Sequence, residues 1–142
     1  MAGSAQGLDA ALDDREAVRF AEAAAQFNSG HFFECHDTLE EIWQGKRGTV
    51  RDLLQGMIQV AVGFYHLGNG NNRGGVSQLE KGLAKLHLYA PQVLGFDLES
   101  FRRHTQVWLE RARAGAPLRG TVADLPKIRS ISPTSSAATP SS

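Results

Sequence analysis

Residues 50–67 carry apolar side chains around most of a helical circumference. At about 100° per residue, Val50, Leu53, Leu54, Met57, Ile58, Val60, Ala61, Phe64, Tyr65 and Leu67 leave only a narrow polar stripe. That stripe holds Asp52, Gln55, Gln59 and His66. A helix apolar on several sides must be covered by neighbours on several sides. The stripe lacks the Lys, Arg and Glu that a solvent face ordinarily carries, so it is expected to face another helix or a pocket.

Four further segments show the same helical period, and no segment alternates apolar and polar residues as a half-buried strand does. The first, Asp14–Asn28, is rich in alanine and aligns Phe20, Ala24 and Phe27. Asn28-Ser29-Gly30 ends it. The second covers 31–44 and stops at Gly45. The central one begins at Thr49, where Thr49-x-x-Asp52 resembles a capping box, and ends in Gly68-Asn69-Gly70. The fourth covers 73–89, with Pro91 beyond it. The fifth starts after an Asp97 cap, aligns Phe101, Thr105, Trp108 and Ala112, and ends near Gly115. Short links favour antiparallel neighbours. The fold expected is all-α, a compact bundle of about five helices occupying residues 11–118.

Residues 119–142 are expected to form a disordered Ser/Thr/Pro-rich tail. Of residues 130–142, ten of thirteen are Ser, Thr or Pro, and no aromatic residue follows Trp108. Such a segment buries too little apolar area to offset its ordering entropy. Its removal is therefore expected to leave the fold unchanged.

Charge and cysteine content exclude several classes. Lys plus Arg is 15 and Asp plus Glu is 15, so a neutral chain carries no electrostatic footprint for nucleic acid. One cysteine excludes an intrachain disulfide and any Cys-based zinc cluster. The longest uncharged stretch, 53–72, contains Gln55, Gln59, His66, three Asn and four Gly, which makes a poor membrane span. No basic-then-apolar leader opens the chain, so a cytoplasmic address is expected.

Chemistry concentrates in the second helix. On a wheel, Phe32, Cys35, Leu39, Ile42 and Trp43 form its apolar face. His36 falls within that face and Glu40 lies at its edge beside Phe33, while Glu34, Asp37, Thr38 and Glu41 point away. His36 and Glu40, one turn apart, thus project together from a mostly buried surface. A carboxylate there must find a partner.

These residues also form an ordered motif. His36, Glu40 and Trp43 make His-x-x-x-Glu-x-x-Trp. Ahead of it stands Phe27-Asn28-x-Gly30-x-Phe32-Phe33-Glu34. After it come Gln55-Gly56-x-Ile58-Gln59-x-Ala61, His66, Gly68-Asn69 and Gly74. Over about residues 15–100 the chain resembles the small helical proteins of bacteria and archaea grouped as domain of unknown function 309. The resemblance implies an all-helical fold and points the motif towards metal binding; it implies no particular reaction. Two positions depart from the family pattern. Asp37 stands where Glu is common, and its shorter side chain counts against a role for it. Gly75 stands where Ala is usual and is expected only to loosen the start of the fourth helix.

Two readings of the motif stay open. In the first, a polar pocket between the second and third helices binds a metal ion or a small polar ligand. His36 and Glu40 are ligands, His66, Gln59 or Glu34 completes the set, Gln55 adds a donor, and Trp43 and Phe33 wall the site. Imidazole with carboxylate suits divalent zinc, manganese, iron or nickel. In the second, the cluster is a buried hydrogen-bond network in a non-enzymatic structural or interaction domain, with a homodimer as one form. Acid–base chemistry with Glu40 as base, oriented by His36, has the needed residue types but little specificity, so whether the chain is an enzyme stays open. Cys35 lies on the core line and reads as an inert thiol. The loop 68–75 lacks the Gly-Lys-Ser/Thr of a phosphate loop and reads as a turn. The basic turn 45–48 is too short for a nucleic-acid patch.

Overall fold

The computed structural model describes residues 11–89, 91–118 and 124–130. Five helices follow one another: α1 (Asp14–Asn28), α2 (Phe32–Gln44), α3 (Gly48–Gly68), α4 (Asn72–Leu86) and α5 (Leu98–Arg113). The all-α bundle expected from periodicity is the fold observed. A small antiparallel hairpin, β1 (Gln92–Val93) and β2 (Phe96–Asp97), joins α4 to α5. Its two-residue turn places Leu94 and Gly95 at positive φ, the geometry that matches strand twist in tight hairpins. Strands of two residues are too short to display an alternating pattern, so nothing in the sequence announced them.

Helix ends follow local chemistry. Asp13 caps α1 in a reciprocal box with Glu16, the two side chains each accepting the other's backbone N–H. Asp97 caps α5 as expected, accepting from the Ser100 N–H at 3.0 Å. Thr49 does not cap α3. That helix starts one residue earlier, behind Arg47, so Thr49 already lies inside it. The fourth helix closes at Leu86 rather than residue 89. The Arg102 guanidinium donates to the Leu86 and Tyr89 carbonyls at 2.9 and 3.2 Å, satisfying the freed end. At the start of α4, the Asn71 side chain accepts the Gly74 N–H, so the 68–75 loop spends this donor on its own cap.

α3 is the spine, with eleven residues from Val50 to Leu67 buried. It packs chiefly on α4 and then on α2, while α1 covers α2 and α5 covers α4. The α3–α4 contact is close because glycines face it. A Cβ on Gly82 would stand 2.7 Å from the Gly56 carbonyl oxygen and 3.1 Å from the Val60 nitrogen. One on Gly63 would stand 2.8 Å from Leu79 Cγ, and one on Gly75 3.0 Å from the Gly63 carbonyl oxygen. Gly75 therefore admits the neighbouring helix rather than merely loosening its own.

An aromatic cluster joins the remaining elements. The Phe27 ring of α1 meets Phe32 of α2, Phe64 of α3 and Phe101 of α5 at centroid distances of 5.1, 5.8 and 5.2 Å. Phe96 of the hairpin meets Phe20 and Phe101. Ordered packing also continues past residue 118, the expected end of the domain. Residues 124–130 lie against α1, α5 and the hairpin. Ile128 is buried, and Asn28 both donates to its carbonyl (3.0 Å) and accepts its N–H (2.7 Å). The Trp108 indole N–H donates to the Asp124 carbonyl, and the Asp97 N–H to that of Arg129. The rest of the expected tail, 119–123 and 131–142, lies outside the described residues. No helix among the described residues is long and apolar enough to cross a membrane.

Two consequences are measurable. Gly82→Ala should lower stability by at least about 2 kcal/mol, since its Cβ meets backbone that cannot rotate away. Gly45→Ala, with only one neighbouring oxygen at 3.8 Å, should change it by less than about 0.5 kcal/mol; denaturant titration of both variants tests this. Truncation after residue 118 should lower the thermal midpoint by several degrees with helix content retained, because Ile128 and the bond to Trp108 are lost. An unchanged midpoint would show that the strap contributes nothing.

Candidate functional site

The second helix buries Phe32, Cys35, Leu39 and Ile42 against the core. Thr38 is buried with them, contrary to its expected outward position. Its hydroxyl donates to Gln26 Oε1 of α1 at 2.8 Å and lies 3.0 Å from the Glu34 carbonyl. α1 covers that flank of α2, which the wheel alone did not reveal. The opposite flank runs along α3 and carries His36, Glu40 and Trp43.

His36 is the centre of this flank. Its Nε2 stands 3.4 Å from Glu40 Oε2, and its Nδ1 stands 3.4 Å from Asp37 Oδ1. Both separations are longer than ordinary N–H···O hydrogen bonds of about 2.9 Å. The side chains are 21%, 42% and 58% exposed for His36, Glu40 and Asp37. The surface is thus half-open rather than mostly buried, because α2 is flanked by α1 and α3 and left uncovered between them. Donor atoms of His36, Asp37 and Glu40 all lie within 4.8 Å of one another, a grouping able to hold a metal ion. Asp37 is the member that sequence reasoning set aside. Its signal was adjacency: the residue after a histidine can reach the ring's near nitrogen even though the two Cβ atoms diverge.

The other expected residues take different places. Contacts between Phe32 and Phe64 and between Phe33 and Tyr65 at one end, and Trp43 and Arg51 at the other, set α2 and α3 antiparallel. His36 and Glu40 therefore lie along the α3 stretch that carries Gln55 and Gln59. Gln59 Oε1 is buried without a hydrogen-bond partner, as are His36 Nδ1 and Trp43 Nε1. His66 follows Tyr65 at the far end of that stretch and does not join the group of three. Glu34 is exposed, and its backbone carbonyl is engaged by Thr38. Trp43 is half-buried beneath the Arg51 guanidinium, 3.9 Å from the ring centroid.

The Phe33 ring lies 5.6 Å from the His36 ring. Tyr65, expected within the covered arc of α3, instead stands 40% exposed beside Phe33. Cys35 is buried, and desolvation pushes its thiol up to about 12, which outweighs a hydrogen bond from the Phe27 backbone that acts the other way.

Residues 20–78 match the family model described as domain of unknown function (DUF309), which bears out the resemblance read from the motif. The matched stretch runs from α1 into α4 and includes every candidate site residue. The chain is also 26% identical over 104 residues to an uncharacterized protein of Aquifex aeolicus. That alignment covers 72% of this chain and 31% of the relative, so the chain spans about a third of the relative's length.

The state of Cys35 can be read directly. At pH 8 the native protein should give no thiol reaction with a disulfide reagent over minutes, and one thiol per chain after denaturation. Rapid reaction of the native protein would show that the thiol is open to solvent.

Proposed function

We propose that His36 and Glu40 bind a divalent transition metal ion (zinc, manganese, iron or nickel) with Asp37 steadying the imidazole. The observation that carries this reading is the 3.4 Å gap between His36 Nε2 and Glu40 Oε2. Two donors each about 2.1 Å from one ion, at the tetrahedral angle, stand about 3.4 Å apart. A hydrogen bond would draw the same atoms about half an ångström closer. One imidazole gives only one nitrogen to an ion. Nδ1 is buried and stands 3.4 Å from Asp37 Oδ1, so a closure of about half an ångström would let it donate its N–H to that carboxylate, as the second nitrogen of a ligating histidine does. Nε2 then carries the lone pair towards the half-exposed side.

Two protein donors leave further coordination positions to water or a small ligand, as in open rather than closed metal centres. Gln59, whose Oε1 lacks a partner, lies on the facing helix and can contribute to whatever occupies them. The competing reading, a structural hydrogen-bond network, asks for closed hydrogen bonds. Gln59 Oε1 and Trp43 Nε1 leave theirs open. Each buried group without a partner costs about 1–3 kcal/mol, a poor basis for a purely stabilising cluster.

Elemental analysis and calorimetric titration, on protein prepared without a metal-binding tag, test the proposal. Wild type should bind about one ion per chain, more weakly as pH falls because protons compete for the ligands. His36→Ala should abolish near-stoichiometric binding with the helical spectrum retained, and Asp37→Asn should weaken it about tenfold. Metal absent from wild type after soaking with all four ions, or equal binding by His36→Ala, would overturn the proposal.

A further inference from the structure

Large apolar side chains exposed among the described residues include Val18, Phe33, Tyr65, Leu88 and Val107. Two of these touch each other, and one of them touches the candidate metal site. Phe33 is 51% and Tyr65 40% exposed, with ring centroids 5.5 Å apart and planes at 47°. Phe33 stands 5.6 Å from the His36 ring at 46°. Three rings from two helices thus form a continuous surface that begins at the imidazole and ends on α3.

Phe33 gains little for stability by lying in solvent, and its neighbours on α2 that face the core show that an apolar residue was not required there by packing. Exposed apolar groups gathered at a polar site mark a place where something binds. The size of the patch selects the occupant. A covered aromatic side chain buries about 150–250 Å², so the open parts of Phe33 and Tyr65 together offer on the order of 200 Å². A stable protein partner needs about 800 Å² on each side. The patch matches one ring of a small molecule and falls well short of a protein surface.

The neighbouring chemistry selects the other end of that molecule. Asp37 and Glu40 surround His36 with carboxylates, which repel a free anion. A bound divalent ion reverses that local field and attracts oxygen donors. Resting on the metal reading above, we infer that the site takes a small ligand with a planar aromatic group joined to an oxygen-donor head. The head completes the coordination left open by His36 and Glu40, and the ring lies on Phe33 and Tyr65.

A pair of probes separates the two halves of this inference. Benzohydroxamate and acetohydroxamate present the same bidentate oxygen head and differ in the ring. Each is titrated calorimetrically into zinc-loaded wild type, Phe33→Ala, Tyr65→Ala and, as a distant exposed control, Val107→Ala, with zinc content and helicity measured on every sample. Wild type and Val107→Ala should bind benzohydroxamate at least about tenfold more tightly than acetohydroxamate. Phe33→Ala should bring the ratio close to one, and Tyr65→Ala should reduce it. Zinc bound with no preference in wild type, or a preference that survives both Phe33→Ala and Tyr65→Ala, would overturn the aromatic platform and leave the metal reading standing. Wild type that binds none of zinc, manganese, iron and nickel would overturn both.

Discussion

The backbone contact between α3 and α4 is the constraint on which the rest of the fold depends. Gly56 and Gly63 on one helix meet Gly82 and Gly75 on the other, so closely that a Cβ on Gly82 or Gly75 would stand 2.7 or 3.0 Å from the facing carbonyl oxygen. Helices whose surfaces carry side chains are held about 8–10 Å apart. Removing the side chains along one seam lets the two axes approach and fixes their relative rotation, since only one face of each helix is bare. α3 is then locked in azimuth. Its remaining faces point in set directions, one placing Phe64 in the aromatic cluster and another setting Arg51 and Tyr65 against Trp43 and Phe33 of α2. The position of His36 over α3 is in this sense a consequence of glycines on the far side of the same helix.

The aromatic cluster completes the arrangement from the other direction. Phe27 touches rings from α2, α3 and α5. Edge-on contacts of this kind add direction to apolar burial, because ring edges and faces carry opposite partial charge. α1 therefore does more than cover α2. Its Gln26 accepts from Thr38 and its Asn28 holds Ile128, so polar groups at one end of α1 set both the rotation of α2 and the path of the C-terminal strap.

Much of this was legible in the sequence where one local rule decided the outcome. The nearly continuous apolar arc of residues 50–67 marked α3 as central, and the inner stripe Phe101, Thr105, Trp108 and Ala112 is buried in full. Asp97 capped where a short acidic residue precedes a helix. The legible part ends where two elements must be known at once. Thr38 looked outward until α1 supplied Gln26, and Gly75 looked like a weakness until Gly63 stood opposite. Ile128 lay in a stretch whose composition read as unstructured, yet a single isoleucine and a handful of backbone hydrogen bonds suffice when an asparagine waits for them. At the site, the wheel placed His36 and Glu40 together but could not give ring orientation. The approach of Nδ1 to Asp37, the separation of His66 from the cluster and the exposure of Tyr65 all turn on that information.

The Asn28 clamp has a bearing on how the chain reaches this structure. Consecutive helices make most of the packing, so nearly all of the architecture can assemble from neighbours in sequence. The pair of hydrogen bonds between Asn28 and Ile128 spans 100 residues. Bringing such distant points together from an open chain carries a substantial loop-closure entropy, but that entropy shrinks once the intervening helices have docked and shortened the path. The primary amide of Asn28 then serves as a ready-made peptide group, offering a donor and an acceptor to an incoming extended segment whose next residues bridge to β2. The strap thus ties the beginning of the bundle to its end, and its closure costs least once the helices between have docked.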